Sequence, residues 1–327
     1  MKFIHFLTFF LYATNLIGQI KNKGLVPPTP TVKKYRAEFT KVIKKNAIYA
    51  DSLNWAIISK ELNDLSKGLK TKEDAHILIQ HVLSHLRTAG DNHSFLLNSE
   101  DAKQNAIKNT DGRVPYGKLL ENNIGYIYVP GFSSMNDTAG LHFATKIQSI
   151  IEEQEKANVK GWVIDLRENT GGNMYPMIAG LGPLLDEGTL GNFIRPTKKT
   201  SSYWFYEKGK AGGKESTVLR IKNPYLLKTK TRKVAVLIGG QTASSGEMTA
   251  ISFIGQRNVL LFGEKTGGYT TGNKGHKLSD GSYLFIAGSF VSDKNNKRII
   301  GSLQPDILVD SKEDGKIFSV AIEWLLK

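Results

Sequence analysis

Short apolar runs alternate with amphipathic stretches from Ile124 onward, and this rhythm restricts the chain to an α/β architecture. Residues 124–129 and 161–166 read as strands. Between them Phe143, Ile147, Ile150 and Ile151 mark one face of a helix that Asp137 or Thr138 would cap. Residues 234–238 and 259–262 are further apolar strands, separated by a helix-length segment starting at Ser244. Asp280 and Gly281 give a tight-turn signal ahead of a strand over 282–286, and Ile317, Val320, Ala321 and Trp324 predict a closing helix.

The pattern upstream is different. Three helical faces follow one another: Phe39, Val42 and Ile43; then Ile58, Leu62, Leu65 and Leu69; then Ala75, Ile79, Val82 and Leu86. They predict a small helical module over 34–97, followed by an α/β domain over 98–327. Residues 19–33 are polar and proline-rich, which suits a linker. At the amino terminus Lys2 precedes an apolar stretch over residues 3–13, with the small residue Gly18 before Gln19. Those are the parts of a secretory signal over residues 1–18. The stretch falls short of the roughly 20 apolar residues a membrane span needs. The expectation is therefore export to the periplasm or the exterior, with no stable membrane insertion after cleavage.

Composition removes several functions. No cysteine is present, which excludes a disulfide scaffold, thiol catalysis and a thiolate zinc site. The formal charge of +14 favours anionic partners such as acidic peptides. Residues 195–233 combine Lys and Arg with the aromatic run Tyr203-Trp-Phe-Tyr206, a mixture that can serve single-stranded nucleic acid. No nucleic-acid motif accompanies it, so a solvated insertion with one buried aromatic edge is expected, or a flap over substrate. His81 and His85 stand four apart, but the Glu of a His-Glu-x-x-His metallopeptidase motif is missing. Neither a metal nor a cofactor is expected.

Two strand ends carry chemistry. Gly239-Gly-Gln-Thr-Ala-Ser-Ser-Gly-Glu247 follows an apolar strand and opens a helix. A serine there has an exposed hydroxyl beside free backbone N–H groups, which stabilise an oxyanion. The same turn equally suits Ser244 as a plain N-cap. In Asp165-Leu-Arg-Glu-Asn-Thr-Gly-Gly-Asn173 two glycines follow a strand. Gly171 or Gly172 is free to turn an N–H toward a ligand, although a tight structural turn needs them as well.

These pieces, taken in order, resemble peptidase family S41, which includes carboxy-terminal processing proteases and tricorn-type peptidases. The set is Gly90-Asp-Asn-His-Ser94, the Asp165 to Gly172 segment, Thr242-Ala-Ser-Ser-Gly-Glu247, Gly263-Glu-Lys-Thr-Gly-Gly268, Leu278-Ser-Asp-Gly281 and Gln304-Pro-Asp306. The resemblance implies a crotonase-like β/α core and hydrolysis of peptide bonds, with a peptide or an unfolded protein as substrate. It places the nucleophile on Ser244, one oxyanion donor on Ser245, and the other on Gly171 or Gly172. Processing proteases of the family use a lysine where this chain has Tyr269; the tricorn-like branch uses a histidine, which His93 matches. His93 is therefore the expected general base, since imidazole exchanges a proton near neutrality. Glu264 and Asp306 are the candidates for the acid that orients it.

Lys265 and Lys274 are alternative bases if a desolvated pocket lowers a lysine pKa. A binding protein on the same scaffold, without catalysis, is the competing function. About 30 residues lie between His93 and Ile124, fewer than the roughly 40 an independent fold needs. An inserted peptide-binding domain is therefore not expected there.

Overall fold

The computed structural model describes residues 26–107, 113–134, 136–195, 202–214, 216–229, 232–310 and 314–327. The expected signal segment and residues 19–25 of the expected linker lie outside them. The helices are α1 (Pro30–Asn46), α2 (Trp55–Leu65), α3 (His76–Thr88), α4 (Ser99–Ile107), α5 (Asp137–Lys156), α6 (Met174–Leu181), α7 (Ser245–Ile251) and α8 (Asp314–Leu326). The strands are β1 (Phe95–Leu97), β2 (Tyr116–Leu120), β3 (Ile124–Tyr128), β4 (Gly161–Asp165), β5 (Gly188–Ile194), β6 (Ser202–Glu207) and β7 (Lys210–Gly213). They continue with β8 (Ser216–Arg220), β9 (Lys233–Ile238), β10 (Val259–Gly263), β11 (Thr271–Lys277), β12 (Tyr283–Asp293), β13 (Arg298–Ile299) and β14 (Ile307–Leu308). None of the described helices is long and apolar enough to cross a membrane.

The chain divides into two compact units. One comprises residues up to Ser99 together with Gly275–Ile286; the other comprises Glu100–Lys274 and Ala287–Lys327.

In the helical unit, α1 begins inside the proline-rich stretch. Thr29 accepts from the Val32 N–H as N-cap, and Pro30 at the first helical position loses no bond that the helix needed. Proline there starts a helix where composition alone suggested linker. Val32, Tyr35, Phe39 and Ile43 of α1 pack with Ile58 and Leu62 of α2 and Leu78, Ile79, Val82, Leu83 and Leu86 of α3. Each such side chain, fully buried, contributes about 1.5–3 kcal/mol. Leu278, Leu284 and Ile286 complete this cluster from the returning segment. Its strand pairs antiparallel with β1, Phe95 opposite Phe285 and Leu97 opposite Tyr283. That return is invisible to local periodicity, because it joins residues nearly 200 positions apart.

The α/β unit is built on a sheet of order β14-β10-β9-β4-β3-β2. β3, β4, β9, β10 and β14 run parallel, and β2 is antiparallel to β3. β3 and β4 are buried along their whole length, as parallel strands covered on both faces must be. Helices α5 and α6 contribute Phe143, Ile147, Ile151, Met177 and Ile178 to one core cluster, and α8 contributes Ile317, Ala321 and Leu325 to another. A second, antiparallel set of strands runs from the end of β12 through β5, β6 and β7 to β8.

This set includes the basic aromatic stretch, whose residues 196–201, 215, 230 and 231 lie outside the described ones. The aromatic run alternates: Trp204 and Tyr206 are buried, Tyr203 and Phe205 half-buried. The Trp204 indole N–H donates to Ser252 Oγ at 2.9 Å. Glu155 of α5 accepts from the Tyr225 hydroxyl and the Lys228 N–H and pairs with Arg232. The described part is therefore sheet with an anchored return, which is more than a solvated insertion.

Candidate active site

β9 ends at Ile238, and the chain turns through residues 239–243 into α7. Ser244 sits at that junction with φ 51° and ψ −118°. An ordinary N-cap has an extended, negative-φ backbone; Ser244 does not. A serine held in this region costs on the order of 1–3 kcal/mol. Ser244 and Glu247 also form a capping box at the start of α7.

Glu247 holds the elbow. It is fully buried, and its carboxylate accepts from four donors. Oε2 takes the Ser244 and Tyr269 N–H groups, each at 2.8 Å. Oε1 takes the Gly268 N–H at 2.9 Å and the Thr266 hydroxyl. Burial pushes the Glu247 carboxyl above its ordinary value, and these donors pull it back in part. The Ser-x-x-Glu spacing of Ser244 and Glu247 is a capping-box signal visible in the sequence. The reach from α7 to residues 266–269 is not.

The glycine pair lies against the elbow. Gly171 has φ 108° and Gly172 φ 109°, a region that favours glycine. A Cβ on Gly171 would stand 2.9 Å from Ser244 Cβ, and one on Gly172 would stand 2.1 Å from the Phe132 carbonyl oxygen. Asn169, fully buried, fixes this turn: its Oδ1 accepts the Gly171 N–H at 3.0 Å, and its backbone carbonyl accepts the Ala243 N–H at 2.9 Å. The Gly171 N–H is thus spent, which corrects its place among the oxyanion donors. The Gly172 and Ser245 N–H groups bond to no described residue. The Ser245 hydroxyl donates to the Gly172 carbonyl, tying the two turns together.

Other candidates fall away from the chemistry. Lys265 and Lys274 are both exposed. The Asp306 carboxylate accepts the Leu261 N–H at 2.8 Å and so closes the strand pairing beside β10. Glu264 is half-buried, and its N–H donates to the Ile238 carbonyl. Asp165 pairs with Arg167 at 2.8 Å and accepts from the Tyr126 hydroxyl, a structural duty.

In the helical unit His93 occupies the turn after α3. Gly90, φ 110°, ends that helix: its N–H donates to the Arg87 carbonyl, and the Asp91 N–H donates to the Leu86 carbonyl. This is a Schellman stop. Asp91, 2% exposed, then organises the next residues. Its Oδ1 accepts the His93 and Ser94 N–H groups, each at 2.9 Å, and its Oδ2 accepts the Ser94 hydroxyl at 2.6 Å. His93 is itself buried. Asp91 and Asn169 hold turns of their own, while Glu247 reaches Thr266, Gly268 and Tyr269; none of these side chains was singled out from sequence.

Residues 123–309 match the family described as Peptidase family S41. A nisin-resistance protein of Lactococcus lactis subsp. lactis is 31% identical over 317 residues, 97% of this chain and 93% of its own. The carboxy-terminal processing protease CtpA of Bacillus subtilis (strain 168) is 28% identical over 199 residues, 58% of this chain and 37% of its own. A solved lipoprotein from Streptococcus agalactiae shares the fold at a TM-score of 0.69 and 26% identity, with 91% of this chain and 99% of that one covered. The photosystem II D1 C-terminal processing protease, at 13% identity, is alike in fold alone, with a TM-score of 0.59 over 86% of this chain and 94% of that one. A family match across more than half the chain, joined to a relative alike over nearly all of it, makes this protein a serine peptidase of family S41, acting on peptides or proteins.

Proposed function

We propose that the protein is an exported peptidase that cleaves through an acyl-enzyme on Ser244, with His93 as general base. The observation that carries this reading is the strained backbone of Ser244, φ 51°, at the start of α7 beside a turn with an unspent N–H. His93 takes the proton of the Ser244 hydroxyl as Oγ bonds to the substrate carbonyl carbon. The Gly172 and Ser245 N–H groups stabilise the oxyanion that forms. His93 then passes the proton to the leaving amine, the C–N bond breaks, and the acyl-enzyme remains. Water, giving its proton to His93, attacks the ester; the acid leaves and the proton returns to Ser244.

The histidine base aligns the chain with the tricorn-like branch, and the parallel sheet β3-β4-β9-β10 supports a core of the crotonase kind. The apolar stretch at residues 3–13 and the small Gly18 support export. The relative named for nisin resistance supports a bioactive peptide as substrate, and nisin is the first peptide to assay.

A fluorophosphonate probe should label the wild-type protein at Ser244. Ser244→Ala should abolish labelling and lower peptide cleavage by about a thousandfold or more. His93→Ala should lower peptide cleavage by about a hundredfold or more. Peptide binding without labelling or cleavage would replace the peptidase with a binding protein; cleavage unchanged in His93→Ala would move the base elsewhere.

A further inference from the structure

A second cluster of reactive side chains lies wholly in the helical unit, on the outer faces of α2 and α3. His81 and His85 lie one turn apart on α3, so their rings share a face. Glu61 of α2 meets them there. Glu61 Oε2 is 3.0 Å from His81 Nε2 and 2.9 Å from His85 Nε2, and the two ring nitrogens are 3.3 Å apart. All three side chains are partly open to solvent, at 38%, 27% and 33% exposure for Glu61, His81 and His85, so an ion can reach them.

Hydrogen bonding serves this triangle badly. If both Nε2 atoms carry hydrogen, the two N–H groups stand against each other with their nitrogens 3.3 Å apart. If one does not, its lone pair faces the carboxylate oxygen at the same short distance. A cation at the centre removes the conflict, because all three atoms then present lone pairs to positive charge. The spacing suits one: ligands about 2.0–2.1 Å from a tetrahedral zinc stand about 3.3 Å from one another. Two imidazoles and a carboxylate are the donor set of zinc and its first-row neighbours, whereas calcium and magnesium prefer all-oxygen shells.

We propose that Glu61, His81 and His85 bind a divalent zinc ion, with water at the fourth position, and that this ion clamps α2 to α3. Sequence alone does not expose the site, because the carboxylate comes from a different helix, 20 residues before His81. It lacks the glutamate that would make the two histidines a metallopeptidase motif, so the ion's role is to hold the two helices together.

The test uses the untagged full chain and zinc chloride alone. Isothermal titration should give one site per chain, weakened at least tenfold by Glu61→Gln and lost in the double variant His81→Ala/His85→Ala, while His142→Ala binds as wild type. A hundredfold excess over the dissociation constant should raise the wild-type Tm by roughly 5 °C and leave the double variant unmoved. Cobalt bound in place of zinc should show the visible bands of a tetrahedral complex; this readout needs only wild-type protein. An absent tetrahedral spectrum, or zinc binding unaltered in the double variant, would overturn the site.

Discussion

The turn at Ser244 and the turn at His93 use the same device and place its strain differently. Each follows or opens a helix, and each is organised by a buried carboxylate that collects backbone N–H groups: Glu247 at one, Asp91 at the other. After α3 the positive φ falls on Gly90, where it costs little, and His93 is in an ordinary conformation. Before α7 the positive φ falls on the serine itself. The strain therefore sits on the residue proposed to attack, and a glycine absorbs it where the side chain has only to be presented. Strain of this kind persists only where its surroundings over-determine it, and Glu247, Asn169 and the glycine pair supply that support.

Amide substitution separates the two carboxylates most sharply. Both oxygens of Glu247 face backbone N–H groups that cannot turn away, so Glu247→Gln must set its NH2 against a donor. The variant should lose roughly 3 kcal/mol in denaturant unfolding, and activity by about a hundredfold or more. In Asp91 one oxygen takes both N–H groups and the other takes the Ser94 hydroxyl, a group that accepts as well as donates. Asp91→Asn should thus stay within about 1 kcal/mol of wild type, while Asp91→Ala, which orphans two N–H groups, should lose roughly 2 kcal/mol. Equal costs for the two amide variants would break the comparison.

A smaller effect of opposite sign tests the strain itself. Ser244→Gly removes the penalty of a side chain at positive φ, so it should be inactive yet about 1 kcal/mol more stable than Ser244→Ala in thermal unfolding. Were Ser244→Gly the less stable of the two, the elbow would not be strained.

A pH-dependent effect lies in the helical unit. Burial pushes the Asp280 carboxyl up, but hydrogen bonds from Ser282, His76 and Tyr35 outweigh it and hold the group at about 2. Its folded value lies below its unfolded one, so its contribution is complete above the unfolded pKa of about 4 and is lost as pH falls toward 2. Acid titration of stability should show that loss in wild type and a flatter profile in Asp280→Asn. A parallel pair of profiles would remove Asp280 from the account.

Much of this was legible in the residues. Strand and helix periods located β3, β4, β9 and β10 and helices α1, α2 and α3, because burial of one face imposes its spacing on the chain. Ser244 and the glycine pair were visible because strand-to-helix turns need small or polar residues. The start of α1 was misread, since proline at a helix start and proline in a linker look alike until the N-cap is seen. Asp306 was placed by position along the chain, and the fold gave its carboxylate a backbone N–H instead.

The chain by itself thus determined its mixed α/β class and marked the serine at which the structure places a positive φ. Only tertiary structure decided that Glu247 gathers donors from residues 266–269, and that Glu61 joins two histidines from another helix. The reason is physical: periodicity records which face of an element is buried. The Glu247 contacts with residues 266–269 and the meeting of Glu61 with His81 and His85 join separate segments, and no local pattern records them.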